Sequence, residues 1–236
     1  MQTMRETVTN SMSQAHRTGG FLNRLSPAEL EDLRSMGCPS SYPAGMVLFS
    51  EKDEAKGIYL VVSGEVKLSI NSSEGKRLSL HIAKAGEILG LTSAVTGSPF
   101  EMTAEILYPA RVTHIARREF LGFLMRHPEV YQAVTEELSQ QLTMACEQLR
   151  TVGLASSAPE KLARLLLDWS EGGQKTEFGM KFRFSLTHEE IGEFIGTSRE
   201  TVTRTLTNFK NRRLVAFHGS TLTIPNRTAL ESYAHC

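Results

Sequence analysis

The most informative stretch of this 236-residue chain is residues 187–204, which read THEEIGEFIGTSRETVTR. Thr187, followed three positions later by Glu190, forms the pattern of a capping box, so we predict that a helix begins here. Its inner face would carry Ile191, Phe194 and Ile195. Gly192 has no side chain on this helix, which would let another helix approach closely.

A tight turn and a second helix are predicted next. Gly196 suits the left-handed backbone that ends a helix, and Ser198 belongs to the residue types that cap a following one. The second helix places Val202, Leu206 and Phe209 on its buried face. Two short helices joined through a glycine turn make a helix-turn-helix, a motif that enters the major groove of DNA.

The outward face of the second helix predicts contact with DNA. It carries Arg199, Glu200, Thr203, Arg204 and Asn208, with Ser198 at its start. Arginine can bind guanine in bidentate fashion, a carboxylate can accept a hydrogen bond from cytosine N4, and a threonine methyl can touch thymine. Lys210 and Arg212 follow and are expected to contact phosphates. Residues 199–213 hold five basic residues against Glu200 alone, although the formal charge of the whole chain is zero.

The segments around this motif complete a winged helix. Residues 214–224 predict two short strands on either side of His218-Gly219-Ser220, which form a wing. Upstream, Pro159 opens a helix predicted over 160–170, and a polar hairpin is predicted over 171–184.

Residues 40–118 have a different character, because apolar and polar residues alternate with a period of two. Val66, Leu68 and Ile70 alternate with polar residues, as do Leu78, Leu80 and Ile82 after a turn. This pattern predicts a hairpin with one buried face, and glycines at intervals of about ten residues favour an antiparallel β-roll. A helix over 21–36, marked by Ser26-Pro27, precedes the roll, and residues 1–20 are predicted to be a flexible arm.

A long helix is predicted over residues 128–153. A heptad seam runs along it through Val134, Leu138, Leu142, Ala145, Leu149 and Val152. Such a seam on a polar helix favours a dimer, although packing on the roll would also explain it. We therefore predict an α+β chain, with a flexible arm (1–20), a β-roll sensor domain (21–127), a dimerisation helix (128–153) and a winged-helix DNA-binding domain (154–236).

Composition excludes several classes of protein. Hydrophobic residues make up 40% of the chain and charged residues 22%, as in globular proteins, and no apolar run approaches the ~20 residues of a membrane span. The first twenty residues contain no apolar segment of a secretory signal, which predicts a cytoplasmic protein without membrane contact. Cys38, Cys146 and Cys236 are too few and too scattered for a four-cysteine metal site, so no metal site is expected.

Motifs of catalysis are also missing. His188-Glu189 begins a helix as in zinc proteases, but Gly192 stands where the second histidine is needed. The sequence contains no G-x-S-x-G elbow, no phosphate-binding loop and no dinucleotide fingerprint. We therefore predict that the protein is not an enzyme. A sensor scaffold without DNA binding is the other alternative, and it would not need the helix-turn-helix.

Residues 187–204 closely resemble the helix-turn-helix of the CRP/FNR family of bacterial transcription regulators, with Ser-Arg-Glu-Thr-Val-x-Arg as the specific core. The order of roll, long helix, hinge and winged helix resembles that family over roughly residues 21–230. The resemblance implies a homodimer on a pseudo-palindromic operator, with Arg199, Glu200 and Arg204 on base edges and RNA polymerase as a partner. Arg199 is as in the cyclic-AMP branch, so a TGTGA-like half-site is expected. Thr203 replaces a glycine of that branch, which leaves the bases opposite it open.

The effector pocket departs from the cyclic-AMP branch. That branch has Gly-Glu-x-x-Gly-Glu, whose carboxylate holds the ribose, and an arginine about ten residues later that holds the phosphate. Here residues 86–90 match, but Leu91 follows, and the arginine position falls on Glu101 or Met102. The hydroxyl pair of the long helix falls on Cys146 and Glu147. The resemblance therefore implies a pocket for an unidentified small molecule other than cyclic AMP, lined by Gly90, Leu91, Glu101, Met102 and Cys146.

Other sensing chemistries require other residue types. The oxygen-sensing branch needs four cysteines, mostly ahead of the roll, and only Cys38 lies there, so no iron–sulfur cluster is expected. A haem would need an axial ligand, for which His16, His81, His114 and His127 are the candidates. A cyclic-nucleotide sensor or a haem sensor of the same fold, a redox role for Cys146, or no effector at all therefore stay open as alternatives.

Overall fold

Two compact units make up the part of the chain that the computed structural model describes, residues 20–234. The first unit holds the residues up to 76 together with 80–144, and the second holds 77–79 and the residues from 145 onward. The predicted arm at 1–20 falls outside the described residues except for Gly20. Within residues 20–234, no helix is both long and apolar enough to cross a membrane.

The first unit is built on an antiparallel sheet. Its strands are β1 (Ser40–Tyr42), β2 (Val47–Phe49), β3 (Gly57–Asn71), β4 (Arg77–Ala83), β5 (Ile88–Leu89) and β6 (Thr103–Ala116). The order is β1-β6-β3-β4, with β2 paired to β6 and β5 to β3. Where β3 shifts register against β6, Gly64 has a φ of 85°, and a Cβ atom there would lie 2.5 Å from Ala110 Cα. Only glycine lets the two long strands stay paired at this point. The α+β class with an antiparallel N-terminal sheet is thereby confirmed.

The hairpin of β3 and β4 forms as predicted, but its buried face was predicted wrongly. Val66 is buried, whereas Leu68 and Ile70 are only half-buried. Lys67 and Ser69, which were expected to face water, are buried instead, and Lys67 pairs with Glu105 on β6 at 3.8 Å. Both faces of this strand carry buried residues, so the common pattern of one buried and one solvent-exposed face does not apply here.

Helices close the first unit. They are α1 (Pro27–Ser35), α2 (Leu91–Thr96), α3 (Arg117–Arg126) and the long α4 (Val130–Gly153), preceded by a 3₁₀ turn at Phe21–Arg24. The single helix predicted over 21–36 is therefore two elements. Ser26 accepts a hydrogen bond from the Glu29 backbone N–H and caps the start of α1. Pro27 keeps Ser26 in an extended conformation, so the preceding 3₁₀ turn cannot continue into α1.

The predicted seam of α4 is divided between two roles. Val134 is buried in the core of its own protomer, which corrects its assignment to a dimer seam, and the half-buried Leu138 packs against that core. Leu142 and Leu149 are 66% and 68% exposed, and Ala145 between them is also exposed. Val152 is half-buried, and its Cγ1 lies 3.1 Å from the position a Cβ atom would take on Gly196. The stripe available to a partner is therefore Leu142, Ala145 and Leu149.

The second unit contains the end of α4 and a small winged domain. Its further elements are α5 (Ala158–Ser170), β7 (Gln174–Thr176), β8 (Gly179–Arg183), α6 (His188–Ile195), α7 (Arg199–Asn211), β9 (Ala216–His218), β10 (Thr221–Ile224) and α8 (Arg227–Ala234). The sheet order is β7-β8-β10-β9. The hairpin, both motif helices and the wing lie where they were predicted, whereas α8 was not predicted. It buries Leu230, and the Ala234 carbonyl accepts a hydrogen bond from Arg164 of α5.

The break between α4 and α5 has an ordered structure. The Glu160 carboxylate accepts hydrogen bonds from the backbone N–H and the hydroxyl of Ser156 and from the Arg164 guanidinium, at 2.8 to 3.0 Å. The bond from the Ser156 backbone contributes most to holding the pKa of Glu160 below its usual value. Ser157 caps α5. α4 ends at Gly153 and α5 begins at Ala158, although the division into compact units falls earlier, after Met144.

The end of α7 carries a strained residue that gives a test of this backbone. Arg213 has a left-handed φ of 57°, and such a conformation costs a residue with a Cβ atom about 1 kcal/mol. We expect Arg213→Gly to raise the free energy of unfolding by about 0.5–1 kcal/mol in urea titrations followed by Trp169 fluorescence. Arg212→Gly, one residue earlier with a right-handed φ of −83°, should lower it instead. A destabilised Arg213→Gly protein would contradict this account.

Candidate nucleic-acid interface

The two motif helices are set by local hydrogen bonds. The Thr187 hydroxyl accepts from the Glu190 backbone N–H at 3.2 Å, and the Glu190 carboxylate accepts from the Thr187 backbone N–H at 2.8 Å. The predicted capping box is thereby confirmed. The helix ends at Gly196 with a left-handed φ of 62°. A Cβ atom on Gly192 would lie 2.6 Å from the Thr197 carbonyl oxygen and 3.7 Å from the Arg199 backbone nitrogen, so the missing side chain makes room for the turn and for the start of the second helix.

The second helix, α7, is amphipathic as predicted. Ser198 accepts a hydrogen bond from the Thr201 backbone N–H and caps it, so this hydroxyl already has a role in the fold. The buried side of α7 holds Val202, Thr205, Leu206 and Phe209. On the other side, every residue predicted to contact DNA is exposed, namely Arg199, Glu200, Thr203, Arg204 and Asn208. Thr207 lies exposed on the same side and was missed, although its helical spacing from Thr203 and Arg204 could have identified it.

Thr203 is held by two hydrogen bonds. Its hydroxyl donates to the Arg199 carbonyl at 2.9 Å, and the same oxygen lies 2.7 Å from Nδ1 of His188 on α6. Because the single hydroxyl hydrogen goes to the carbonyl, Nδ1 of His188 must be the donor in the second bond. The methyl group of Thr203 is then the part of the side chain that makes no hydrogen bond. His188 was considered only as a zinc ligand at the sequence level.

Glu200 is ionised on the exposed face of α7. Its own backbone N–H is the largest influence and the Ser198 hydroxyl the next, and together with nearby Arg199 they hold the pKa of this carboxyl below its usual value. An ionised carboxylate only accepts hydrogen bonds, which matches the amino group of cytosine and repels phosphates. The exposed face of α7, with the anionic Glu200 beside cationic side chains, therefore suits contact with base edges.

The cations after α7 are partly engaged within the protein. Nζ of Lys210 lies 4.5 Å above the ring of Phe217 in the wing, and Arg212 bonds the hydroxyl of Tyr233 on α8. Both remain exposed, so they can still contact phosphates. These contacts also join the end of α7 to the wing and to α8. They therefore hold the two side chains in defined positions.

The residues predicted for an effector pocket do not form one set. Leu91 is 1% exposed and belongs to the hydrophobic core of the first unit, which corrects its assignment to a pocket wall. Gly90 has a left-handed φ of 73°, and a Cβ atom there would meet the Phe100 ring at 2.7 Å, so its role is in packing. Glu101 is exposed and accepts a hydrogen bond from Ser93 at 3.2 Å. Met102 is half-buried, and Cys146 is exposed on α4.

These residues do not fit a cyclic nucleotide held through a carboxylate and an arginine. The position that should supply the ribose carboxylate is the buried Leu91, and neither Glu101 nor Met102 can pair with a phosphate. Glu87, the remaining carboxylate of the motif, already lies 2.7 Å from His81 Nε2 and accepts from the Lys84 backbone at 3.0 Å. Of the candidate haem ligands, His127 likewise lies 2.9 Å from Asp32, His114 is exposed, and His16 falls outside the described residues.

Family comparisons match both units. The profile of the cyclic nucleotide-binding domain matches residues 39–127, and that of the Crp-like helix-turn-helix domain matches residues 160–233. The chain is 23% identical over 220 residues to a CRP-like cAMP-activated global transcriptional regulator of Mycobacterium tuberculosis, covering 93% of this chain and 98% of the relative. It is 27% identical to the transcriptional activatory protein AadR of Rhodopseudomonas palustris, covering 81% and 79% of the two chains.

Solved structures share the fold. FixK2 from Bradyrhizobium japonicum superposes with a TM-score of 0.74 at 21% identity, covering 84% of this chain and 96% of FixK2. A mutant of CooA from Carboxydothermus hydrogenoformans gives a TM-score of 0.72 at 22% identity, covering 85% and 88%. The curated relatives are named as transcription regulators, in agreement with the prediction that this protein is not an enzyme. With both family domains in this order and an exposed recognition helix, the chain belongs to the CRP/FNR family of DNA-binding transcription regulators.

Proposed function

We propose that the protein acts as a homodimer that places one α7 helix of each protomer in successive major grooves of a pseudo-palindromic operator. The observation that carries this proposal is the division of α7 into two faces. Its apolar side is buried in the winged domain, whereas Arg199, Glu200 and Arg204 are all exposed on the other side. These three residue types are the ones that pair with guanine and cytosine edges, which supports a TGTGA-like half-site.

A second protomer would cover the exposed stripe on α4. Leu142, Ala145 and Leu149 follow one another at spacings of three and four residues, and the two leucines are about two-thirds exposed. Such spacing is that of a two-stranded coiled coil. Two protomers joined along this stripe would present two α7 helices related by a twofold axis, as a palindromic site requires.

We further propose that an effector other than cyclic AMP, sensed in the first unit, controls this dimer in the cytoplasm, and that the bound dimer acts on RNA polymerase. The buried Leu91 and the acidic Glu101 support the exclusion of cyclic AMP. The ordered break at Ser156 and Ser157 is the segment about which the winged domain would change orientation.

Selection of binding sites from a genomic DNA library tests the proposal. We expect an enriched inverted repeat whose half-sites are centred one helical turn, about 34–36 Å, apart, a spacing taken from the archetype of this family. Selection is repeated with cell extract and under reducing and oxidising conditions, so that a missing effector is supplied. Enrichment of single half-sites only, or of no shared sequence under any condition, would overturn the proposal.

The base opposite Thr203 gives a more specific prediction. Since the hydroxyl is bonded to Arg199 and His188, we expect the methyl group to read the 5-methyl group of thymine. Thr203→Val keeps a methyl group at this position and should leave the base preference within about twofold of wild type. Thr203→Ser keeps the hydroxyl and should lower the preference for thymine about fourfold, the equivalent of one buried methyl group. Binding is measured on operators that carry each of the four bases; a preference lost in the valine variant and kept in the serine variant would show that the hydroxyl is read.

A further inference from the structure

A cluster of metal-ligand residues lies within the first unit. Glu29 on α1, His127 at the end of α3 and Glu129 just before α4 each offer one ligand atom, and these atoms lie within 4.8 Å of one another. Among residues 20–234, this is the one group of three or more histidine, cysteine, aspartate or glutamate side chains gathered so closely. None of these residues belongs to the DNA-binding helix or to the predicted effector pocket.

The histidine is oriented as a metal ligand would be. Nε2 of His127 lies 2.9 Å from a carboxylate oxygen of Asp32, which also accepts a hydrogen bond from Arg126 at 3.0 Å. A carboxylate can only accept, so Nε2 carries the hydrogen in this bond. In the neutral ring the lone pair is then on Nδ1, which lies 3.6 Å from Oε1 of Glu129. A carboxylate on one ring nitrogen and a metal on the other is the usual arrangement of metal-binding histidines.

Two carboxylates lie close to this histidine. Glu29 is only 6% exposed, and its carboxylate accepts a hydrogen bond from the Ser26 backbone N–H in the capping box of α1. Glu29, Asp32 and Glu129 surround the single His127, and Arg126 pairs with Asp32 alone. The carboxylates of the buried Glu29 and the exposed Glu129 repel each other unless a cation or a proton lies between them.

We propose that Glu29, His127 and Glu129 bind a divalent transition-metal ion, with Asp32 as the residue that positions His127. One imidazole nitrogen and two carboxylate oxygens form a mixed donor set that suits Zn²⁺, which binds more tightly than Mn²⁺ or Fe²⁺ to such sites. Ligand atoms at 2.0–2.1 Å from a tetrahedral Zn²⁺ lie about 3.4 Å apart. The Glu129 side chain is 63% exposed, so it can move to close the gap between the 4.8 Å limit and this spacing, and water completes the coordination.

A bound ion would join α1 to the junction of α3 and α4. These elements are also held by apolar contacts around Leu33, Phe123 and Val130 and by the bonds of Asp32 with Arg126 and His127. Because the ion binds the folded unit and not the unfolded chain, it should raise the unfolding temperature with its concentration. The site is therefore structural, and it fixes the helix from which the dimer stripe projects.

Zinc titration of the untagged full-length protein, after treatment with a chelator and dialysis, tests the proposal. Isothermal titration calorimetry should give one Zn²⁺ per chain, and the unfolding temperature should rise by several degrees. Glu129→Gln removes an exposed ligand that the fold does not need, and it should weaken binding at least tenfold. Asp32→Asn should weaken it about 10–100-fold through the histidine alone. His127→Asn should abolish it, and its unfolding temperature without zinc shows whether it is folded.

Two control variants and one spectrum exclude other sites. Glu119→Gln removes an exposed carboxylate of α3 outside the cluster, and His81→Gln removes a histidine that pairs with a single glutamate; both should bind zinc as wild type does. X-ray absorption of the zinc complex should show nitrogen and oxygen ligands only. A sulfur ligand would assign the ion to Cys38 or Cys146 and overturn the proposal. Absence of saturable binding, or wild-type affinity in Glu129→Gln, would show that the cluster is an ion-pair network only.

Discussion

Replacing Leu142 or Leu149 with glutamate should convert the protein into a monomer whose affinity for its operator is about 10²–10⁴-fold weaker. Both leucines are mostly exposed on α4, so a charge there leaves the protomer folded. In a coiled-coil seam the same charge would face its copy across an apolar interface. A monomer binds one half-site only. A dimer binds the second half-site as a linked unit, and the loss of this second contact accounts for the expected decrease in affinity of about 10²–10⁴-fold. Light scattering measures the mass, and fluorescence anisotropy with the selected operator measures the affinity.

Met125→Glu is the matched control for this experiment, because Met125 is a comparably exposed apolar residue on α3. It should remain a dimer with unchanged operator affinity. Leu138 is not suited to the test: it packs against the core of its own protomer, so a glutamate there would unfold the unit as well as change its assembly. If the Leu142→Glu and Leu149→Glu proteins both stay dimeric, α4 does not form the dimer interface.

Arg204→Ala should lose about 1–3 kcal/mol of operator binding per half-site, a factor of about 5 to 150, while binding to unrelated DNA changes little. The side chain lies exposed at the centre of the outward face of α7, and its neighbour Val202 is buried. An arginine in this position can grip the O6 and N7 atoms of guanine, and alanine leaves those acceptors without a donor. Affinities for the selected operator and for a scrambled duplex, measured at the same salt concentration, separate the two contributions.

Arg213→Gly is the control for the loss of one positive charge without the loss of a base contact. Arg213 lies beyond the end of α7, so loss of its charge should weaken binding to the operator and to the scrambled duplex by the same small factor. Equal losses on both duplexes in Arg204→Ala would show that Arg204 contacts phosphate and reads no base.

The winged domain was the part of the fold most readily predicted from the sequence. The bonds that define it join residues three or four positions apart: Thr187 with Glu190, Gly196 with Gly192, and Ser198 with Thr201. Such contacts form within one or two turns of chain, so residue types at fixed spacing are enough to predict them. The contact of His188 with Thr203 spans the turn and could not be read from either helix alone.

Other features depend on residues that are distant in the sequence. Leu138 and Leu142 lie four residues apart on the same predicted seam, yet the first packs against the core and the second is exposed, because the core of the first unit ends between them. Leu91 occupies a predicted ligand position and is buried instead. Glu29 meets His127 and Glu129 across about a hundred residues of chain.

The sequence by itself thus determined the local elements: the capped helices, the hairpins, the glycine turns and the polar face of α7. Only the tertiary structure decided which apolar faces remain uncovered and which distant polar groups meet. The physical reason is that a helix or a turn is stabilised by bonds between near neighbours, whereas burial depends on which other segments of the chain come to cover a face.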